Sequence, residues 1–330
     1  MILRLLIAVA ILFPAAVHAN GPAVVYDGES KFDASFNESA FNGAELFRDI
    51  TGQSYAEATL PEGADRVAVI RELARAGHGP IVAVGFNYGE AVNIVAGEFP
   101  NTSFAIIDMV VDRPNVRSVV FREHEGSYLV GMAAALSSES GTVGFVGGMD
   151  IPIIRRFACG FAGGVRAVDP DTRILVDMTG TTPAAFNDPE KGEALAKAQI
   201  ADGADVIYHA SGGTGVGVLQ AVADAGVLGI GVDMNQNHMQ PGRVLTSMLK
   251  QVDYAVFFAF QDALDGAFTG GIQSLGLEDR GVGFAVDQHN SGLMSGGMVA
   301  QIENAGFEII NGQRAVHDFT TDGTCPYLGG

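Results

Sequence analysis

Short apolar strands alternate with amphipathic helices along nearly the whole chain, and this alternation restricts the fold more than any other feature. The strand-like runs are Ala23–Tyr26, Ile81–Val84, Phe104–Asp108, Val116–Phe121, Thr142–Val146, Arg173–Met178, Val206–Ala210, Gly229–Val232, Val244–Ser247, Val282–Ala285 and Glu308–Ile310. Helical patterns fall between them at Phe41–Arg48, Arg66–Ala76, Gly126–Leu136, Pro152–Val168, Lys191–Ala201, Gly215–Ala225 and Asp253–Leu264. Near-continuous apolar strands separated by helices predict parallel sheets covered on both faces. About eleven strands exceed a comfortable single doubly wound sheet, so an α/β protein of two Rossmann-like lobes is expected. No linker rich in Pro, Ser or charge divides the chain. The lobes should therefore be joined by short hinge strands, with a crossing near Phe121–Glu125 and a return near Asp233–Gln240. That assigns 20–123 plus about 236–280 to lobe 1, and 124–235 plus about 281–330 to lobe 2.

Residues 1–19 stand outside this pattern. Arg4 supplies a positive start, Leu5–Val17 an apolar stretch, and Val17-His18-Ala19 a small-residue cleavage site. The run is too short to cross a bilayer and reads as a secretory signal peptide cut before Asn20. No cysteine lies near the cut to carry a lipid. Export to the periplasm is the expectation.

The 38 acidic and 19 basic residues give a net charge of -19, which argues against nucleic acid and anionic membrane surfaces as partners. Self-association of so acidic a chain is disfavoured, and a monomer is expected. Export makes a disulfide chemically allowed. However, Cys159 sits in an apolar helical run and reads as a small core residue, and Cys325 lies in a Gly/Pro-rich tail. No bridge between them is assumed.

Polar residues collect where strands end. Phe32-Asp33-Ala34-Ser35-Phe36-Asn37 joins the first strand to the first helix, placing an aromatic ring among Asp, Ser and Asn side chains. Asp108, Gly85-Phe86-Asn87-Tyr88, Ser211-Gly212-Gly213-Thr214-Gly215, Asp233 and Lys250 lie at or just past the carboxyl ends of other strands. In open α/β sheets ligands bind at those ends. Each position also has an ordinary structural reading. A strand-terminal Asp commonly caps the next helix, Ser35 or Asn37 would serve as an N-cap, and a lone Lys is usually solvated. The glycine turn at 211–215 is neither a Walker A loop nor a complete dinucleotide fingerprint, because Val218 stands where a third glycine is needed; it fits hydroxyl recognition better than pyrophosphate. Nucleophile elbows, His-Glu-x-x-His and Cys-x-x-Cys are missing, and Asp233–His238 lacks the usual spacing of a metal site.

Several longer blocks resemble the basic membrane protein family of ABC-transporter substrate-binding proteins, typified by purine nucleoside receptors. They are Asp33-Ala34-Ser35-Phe36-Asn37, Phe121-Arg122-Glu123-His124-Glu125-Gly126-Ser127-Tyr128, Gly144-Phe145-Val146-Gly147-Gly148-Met149-Asp150-Ile151-Pro152, Phe186-Asn187-Asp188-Pro189-Glu190-Lys191-Gly192, Gly212-Gly213-Thr214-Gly215 and Ser247-Met248-Leu249-Lys250. The resemblance covers nearly all of the chain beyond the leader. It implies a type I periplasmic binding fold that closes on its ligand and hands it to a permease, with no chemistry, cofactor or metal. Carried over residue by residue, Phe36 and Phe186 would face each other across a purine. Asn37 and Asp108 would address the base, and Gly212, Asp233 and Lys250 the ribose hydroxyls. Two departures stand out. Many relatives carry a lipid on a cysteine absent here, and Gly85-Phe86-Asn87-Tyr88 is more polar than expected for a segment lining the cleft. A flavin, sugar or signalling molecule in the same fold, and a nucleoside hydrolase, are the alternatives.

Overall fold

A computed structural model describes residues 20–60 and 63–328; the expected signal peptide lies outside the described residues. The first sheet is built from β1 (Ala23–Tyr26), β2 (Ala56–Thr59), β3 (Ile81–Val84), β4 (Phe104–Ile107), β5 (Val116–Phe121) and β11 (Gly271–Leu275), in the order β11-β5-β4-β3-β1-β2. All its strands are parallel. The second contains β6 (Thr142–Met149), β7 (Arg173–Gly180), β8 (Val206–Ala210), β9 (Leu228–Asp233), β10 (Val244–Lys250) and β12 (Val282–Phe284), ordered β12-β10-β9-β8-β6-β7. Only β12 runs antiparallel to its neighbour within the pairings of this sheet. The central strands β1, β3, β4 and β8 are buried along their whole length, which is why they read as unbroken apolar runs.

Helices α1 (Phe36–Thr51), α2 (Arg66–Arg75), α3 (Gly89–Glu98) and α8 (Val252–Leu264) belong to the first lobe. Helices α4 (Glu123–Ser137), α5 (Pro152–Val168), α6 (Pro189–Ala201), α7 (Gly215–Ala225), α9 (Gly296–Ile310) and α10 (Phe319–Asp322) belong to the second. The pair α4–α5 packs backbone to backbone: a Cβ on Gly131 would lie 2.1 Å from the Phe161 carbonyl oxygen, and one on Gly164 1.9 Å from that of Tyr128.

The chain crosses between lobes three times: from Phe121 to Glu123, from Lys250 to Val252, and between Leu275 and Val282. The expected assignment of 236–250 to lobe 1 is corrected, because β10 pairs in parallel with β9, with Leu249 opposite Asp233. The polar stretch after Asp233 is a connection inside lobe 2 anchored by buried Gln236 and Asn237, not a return crossing: Gln236 accepts from the Val232 N–H and its own N–H donates to Ser247 Oγ. Glu308–Ile310, expected as a strand, is the last turn of α9, whose Ile302, Ala305 and Ile309 face the core at helical spacing. The pairing of the two cysteines was open from the sequence. Cys159 on α5 and Cys325 form a disulfide with Cα atoms 5.6 Å apart, because the C-terminal tail folds back along α5. Tyr327 lies over Gly163 there, and Arg166 donates to the Tyr327 carbonyl.

Candidate ligand-binding cleft

Both lobes have the strand order 2-1-3-4-5, extended at one edge. In this order the crevice opens where the connections leave in opposite directions, beyond the first and third strands of each lobe. The loops after β1, β3, β6 and β8 do meet there, and with the ends of β4, β9 and β10 they enclose a cleft of about 490 Å³. That volume suits one small molecule. All seven residues singled out from the sequence line it: Phe36, Asn37, Asp108, Phe186, Gly212, Asp233 and Lys250.

The loop before α1 is shaped by Asp33. Its carboxylate accepts from the N–H groups of Ser35, Asn37 and Glu38, while Glu38 reaches back to the Ala34 N–H. This reciprocal cap satisfies the first turn of α1 and fixes Phe36 at its mouth. It also holds Ala34 at φ 54, an uncommon conformation for a residue with a Cβ. Asp108 and Asp233 have φ of 66 and 64. Three of the four described non-glycine residues in the left-handed region therefore lie at this cleft, a concentration of strain that accompanies functional sites.

Lys250 organises the cleft floor. Its Nζ lies 2.6 Å from Asp108 Oδ2 and 3.1 Å from Glu123 Oε1, with the rings of Phe36, Phe121 and Phe157 around it at 5.1, 5.0 and 5.5 Å. The residue is only 2% exposed. Burial opposes its charge, but Asp108, Glu123 and Asp233 outweigh that effect and hold the ammonium group well above the usual lysine value. Burial likewise pushes the Asp108 and Asp233 carboxyls up to about 6, against the pull of Lys250. Asp108 Oδ1 is buried and has no hydrogen-bond partner among the described residues.

The charge string continues behind the floor. Glu123 Oε2 accepts from Arg156 Nη1 at 3.0 Å, and Arg156 grips Asp318 through two bonds of 2.8 and 3.0 Å. Asp318 belongs to the tail that the disulfide ties to α5. Across the cleft, Ser35 Oγ donates to Asp233 Oδ2, and Gln236 Nε2 donates to the Ala34 carbonyl at 2.8 Å. With Asp108–Lys250, these bonds bridge lobe to lobe. Gln236 is itself fixed by His209 at 2.9 Å, a ring that burial pushes down to about 4 and so keeps neutral.

Phe186 is placed by a second interlocked turn. Thr214 Oγ1 donates to the Ala185 carbonyl at 2.9 Å and accepts from the Asp188 N–H at 2.7 Å, which ties the Pro183–Phe186 turn to the Gly212–Thr214 turn. Gly212 has φ 57, and a Cβ there would lie 3.1 Å from the Phe186 carbonyl oxygen. The ring packs over Gly148, where a Cβ would meet it at 2.4 Å.

Asn37 is committed differently from expectation. Its side chain accepts from the Asp27 N–H at 3.2 Å and donates to the Asp27 and Ser30 carbonyls at 2.7 and 3.3 Å. It braces the loop after β1 and keeps at most one oxygen lone pair for a ligand. Several cleft residues went unassigned in the sequence. Phe157 and Ile154 on α5 contribute apolar wall, and Asp27 with Arg66 forms a polar end. Glu123 stands out in the sequence only as part of the Phe121–Tyr128 block. Among the described residues no group of three or more His, Cys, Asp or Glu side chains is placed to hold a metal ion, and no helix is long and apolar enough to cross a membrane.

Two parallel-sheet lobes of matching strand order around a ligand-sized cleft define a substrate-binding protein of the type I periplasmic binding fold. A crystal structure of an ABC transporter solute-binding protein from Aeropyrum pernix K1 superposes with a TM-score of 0.80 at 29% identity, covering 88% of this chain and 92% of that one. The family described as ABC transporter substrate-binding protein PnrA-like matches residues 22–318, and the chain belongs to it. Relatives include a CD4+ T-cell-stimulating antigen of Listeria monocytogenes, 33% identical over 317 residues with 88% of this chain and 86% of the relative covered. Another is the ABC transporter nucleoside-binding protein BmpA of Lactococcus lactis, 30% identical over 320 residues with 89% and 88% covered. Membership makes this an extracytoplasmic substrate-binding protein, with a small-molecule ligand and a permease as its partners.

Proposed function

We propose that the protein is a periplasmic, monomeric receptor for a purine nucleoside, which it binds between its lobes and delivers to an ABC permease without transforming it. The observation that carries this reading is that one cleft joins Phe36 from the first lobe and Phe186 from the second to a buried Asp108–Lys250 pair and Asp233. Aromatic faces on both lobes supply stacking, worth about 1–3 kcal/mol per base. Asp233 accepts from vicinal hydroxyls, and Lys250 donates to ligand oxygen while favouring the ionised carboxylate. The backbone of Gly212 allows close approach. Contacts from both lobes make the closed state the one that binds, so ligand shifts an open–closed equilibrium about the hinges.

The Lactococcus lactis relative named as nucleoside-binding supports the ligand class. The test is native mass spectrometry of the purified protein, followed by calorimetric titration with inosine, guanosine, adenosine, riboflavin and a sugar panel. One-to-one binding of a purine nucleoside is expected, with no free base released on prolonged incubation. Exclusive binding of riboflavin or a sugar would keep the fold and discard the nucleoside, and release of free base would make the protein a hydrolase.

A further inference from the structure

The end of the cleft formed by Asp27 and Arg66, with Asn87 bonded to Asp27, has no role in the reading above. Asn37 connects it to the stacking site: its side chain bonds both the N–H and the carbonyl of Asp27 and it is the next residue after Phe36. Asp27 has both carboxylate oxygens engaged, Oδ2 accepting from Asn87 Nδ2 at 2.8 Å and Oδ1 from Arg66 Nη2 at 3.4 Å. Arg66 is in the opposite situation. A guanidinium carries five N–H donors, and among the described residues its only hydrogen bond is that long one to Asp27. Its plane is steadied over the Tyr88 ring, 5.4 Å from the centroid, and Tyr88 is itself pinned by a 2.6 Å bond to the Tyr26 carbonyl. The Arg66 side chain lines the cleft and keeps 33% of its surface exposed.

Asp27 keeps lone pairs of its own, but most of the Arg66 donors have no protein partner among the described residues. A ligand edge that reaches the guanidinium is therefore matched best by acceptors. In a purine that edge is O6 with N7, which a guanidinium can bind through two parallel bonds; adenine puts an amino donor at the same place, and arginine has no acceptor for it. We infer that Arg66 makes the receptor selective for 6-oxopurine nucleosides over adenosine. This rests on the nucleoside reading and adds the residue that discriminates among nucleosides.

The experiment is calorimetry on the full mature chain with inosine and adenosine, comparing the native protein with Arg66→Met and Arg66→Lys. The native protein is expected to prefer inosine by about 5- to 150-fold, the range for one bidentate base contact. Arg66→Met should bring the two affinities to within about 3-fold, through loss of inosine affinity with adenosine binding retained. Retained adenosine binding also shows that the variant is folded. Arg66→Lys keeps the charge but loses the planar fork, and should recover less than half of the preference on a logarithmic scale. A native preference for adenosine, or a Met variant that weakens both nucleosides equally, overturns the role of Arg66 while leaving the nucleoside receptor intact. Binding of neither nucleoside by the native protein overturns both.

Discussion

Replacing Lys250 with Met isolates the electrostatics of the cleft floor from its packing. Methionine has nearly the length of lysine and a polarisable end, and the three aromatic rings about 5 Å from Nζ make a favourable seat for it. The substitution therefore removes charge rather than opening a cavity. It leaves Asp108 without its 2.6 Å partner, and Glu123 without the 3.1 Å one, on a floor that water barely reaches. Removing one member of a buried pair costs about 3–5 kcal/mol, a large part of the ordinary stability range of about 5–15 kcal/mol.

The pH dependence separates this mechanism from a packing fault. Asp108 and Asp233 have folded values of about 6 against 3.8 for the ordinary group. With values raised in the folded state, that state binds more protons, so these two groups destabilise above pH 6 and cease to do so as pH falls toward 4. Lys250 lowers both values, and without it both rise further. The deficit of the variant therefore grows as pH rises above 6 and shrinks as its carboxyls take up protons. Urea unfolding followed by far-UV circular dichroism should show a loss of about 3–5 kcal/mol at pH 7.5 and less than half of that at pH 5. A deficit below about 1 kcal/mol at pH 7.5, or one of equal size at the two pH values, would refute the assignment of Lys250 as the counter-charge of these carboxylates.

Phe36→Ala and Phe186→Ala should each weaken the nucleoside by about 5- to 150-fold in calorimetry while leaving the melting temperature near that of the native protein. Gly131→Ala and Gly164→Ala place a methyl group within about 2 Å of a facing carbonyl, and should each cost about 1–3 kcal/mol or more in urea unfolding as α4 and α5 are forced apart. The disulfide closes a loop of 166 residues, for which chain entropy allows about 5 kcal/mol at most and measured bridges deliver about 2–4. Reductant should therefore lower the melting temperature of the native protein but not that of the Cys159→Ser, Cys325→Ser pair; a native melting curve indifferent to reductant would count against a stabilising bridge.

How much of this was legible from the sequence depends on where each residue gets its partners. The runs Ile81–Val84 and Val206–Ala210 are covered on both faces, so their apolar character announces them. The edge strand Ala56–Thr59 has a half-exposed, alternating pattern, and Gly271–Leu275 is almost wholly exposed. Their strand state comes from pairing with one neighbour, which composition does not record. Val244–Lys250 was recognisable as a strand, but its lobe was not, because pairing with β9 is a property of the assembled sheet. The cleft was legible in part for the same reason. Phe36, Asp108, Asp233 and Lys250 follow strand ends, and the doubly wound fold sends strand ends to the crevice. Arg66 begins a helix that reaches the cleft from the side, and Arg156 touches the floor only through Glu123. Asp318 enters that string from a tail that no local pattern joins to α5; the bridge between Cys159 and Cys325 does so, and the two cysteines were the one sequence signal for it. The cleft floor is therefore braced from the C-terminal tail through Asp318, Arg156 and Glu123 to Lys250, and a cysteine pair remote from the cleft in sequence becomes part of what holds its central charge in place.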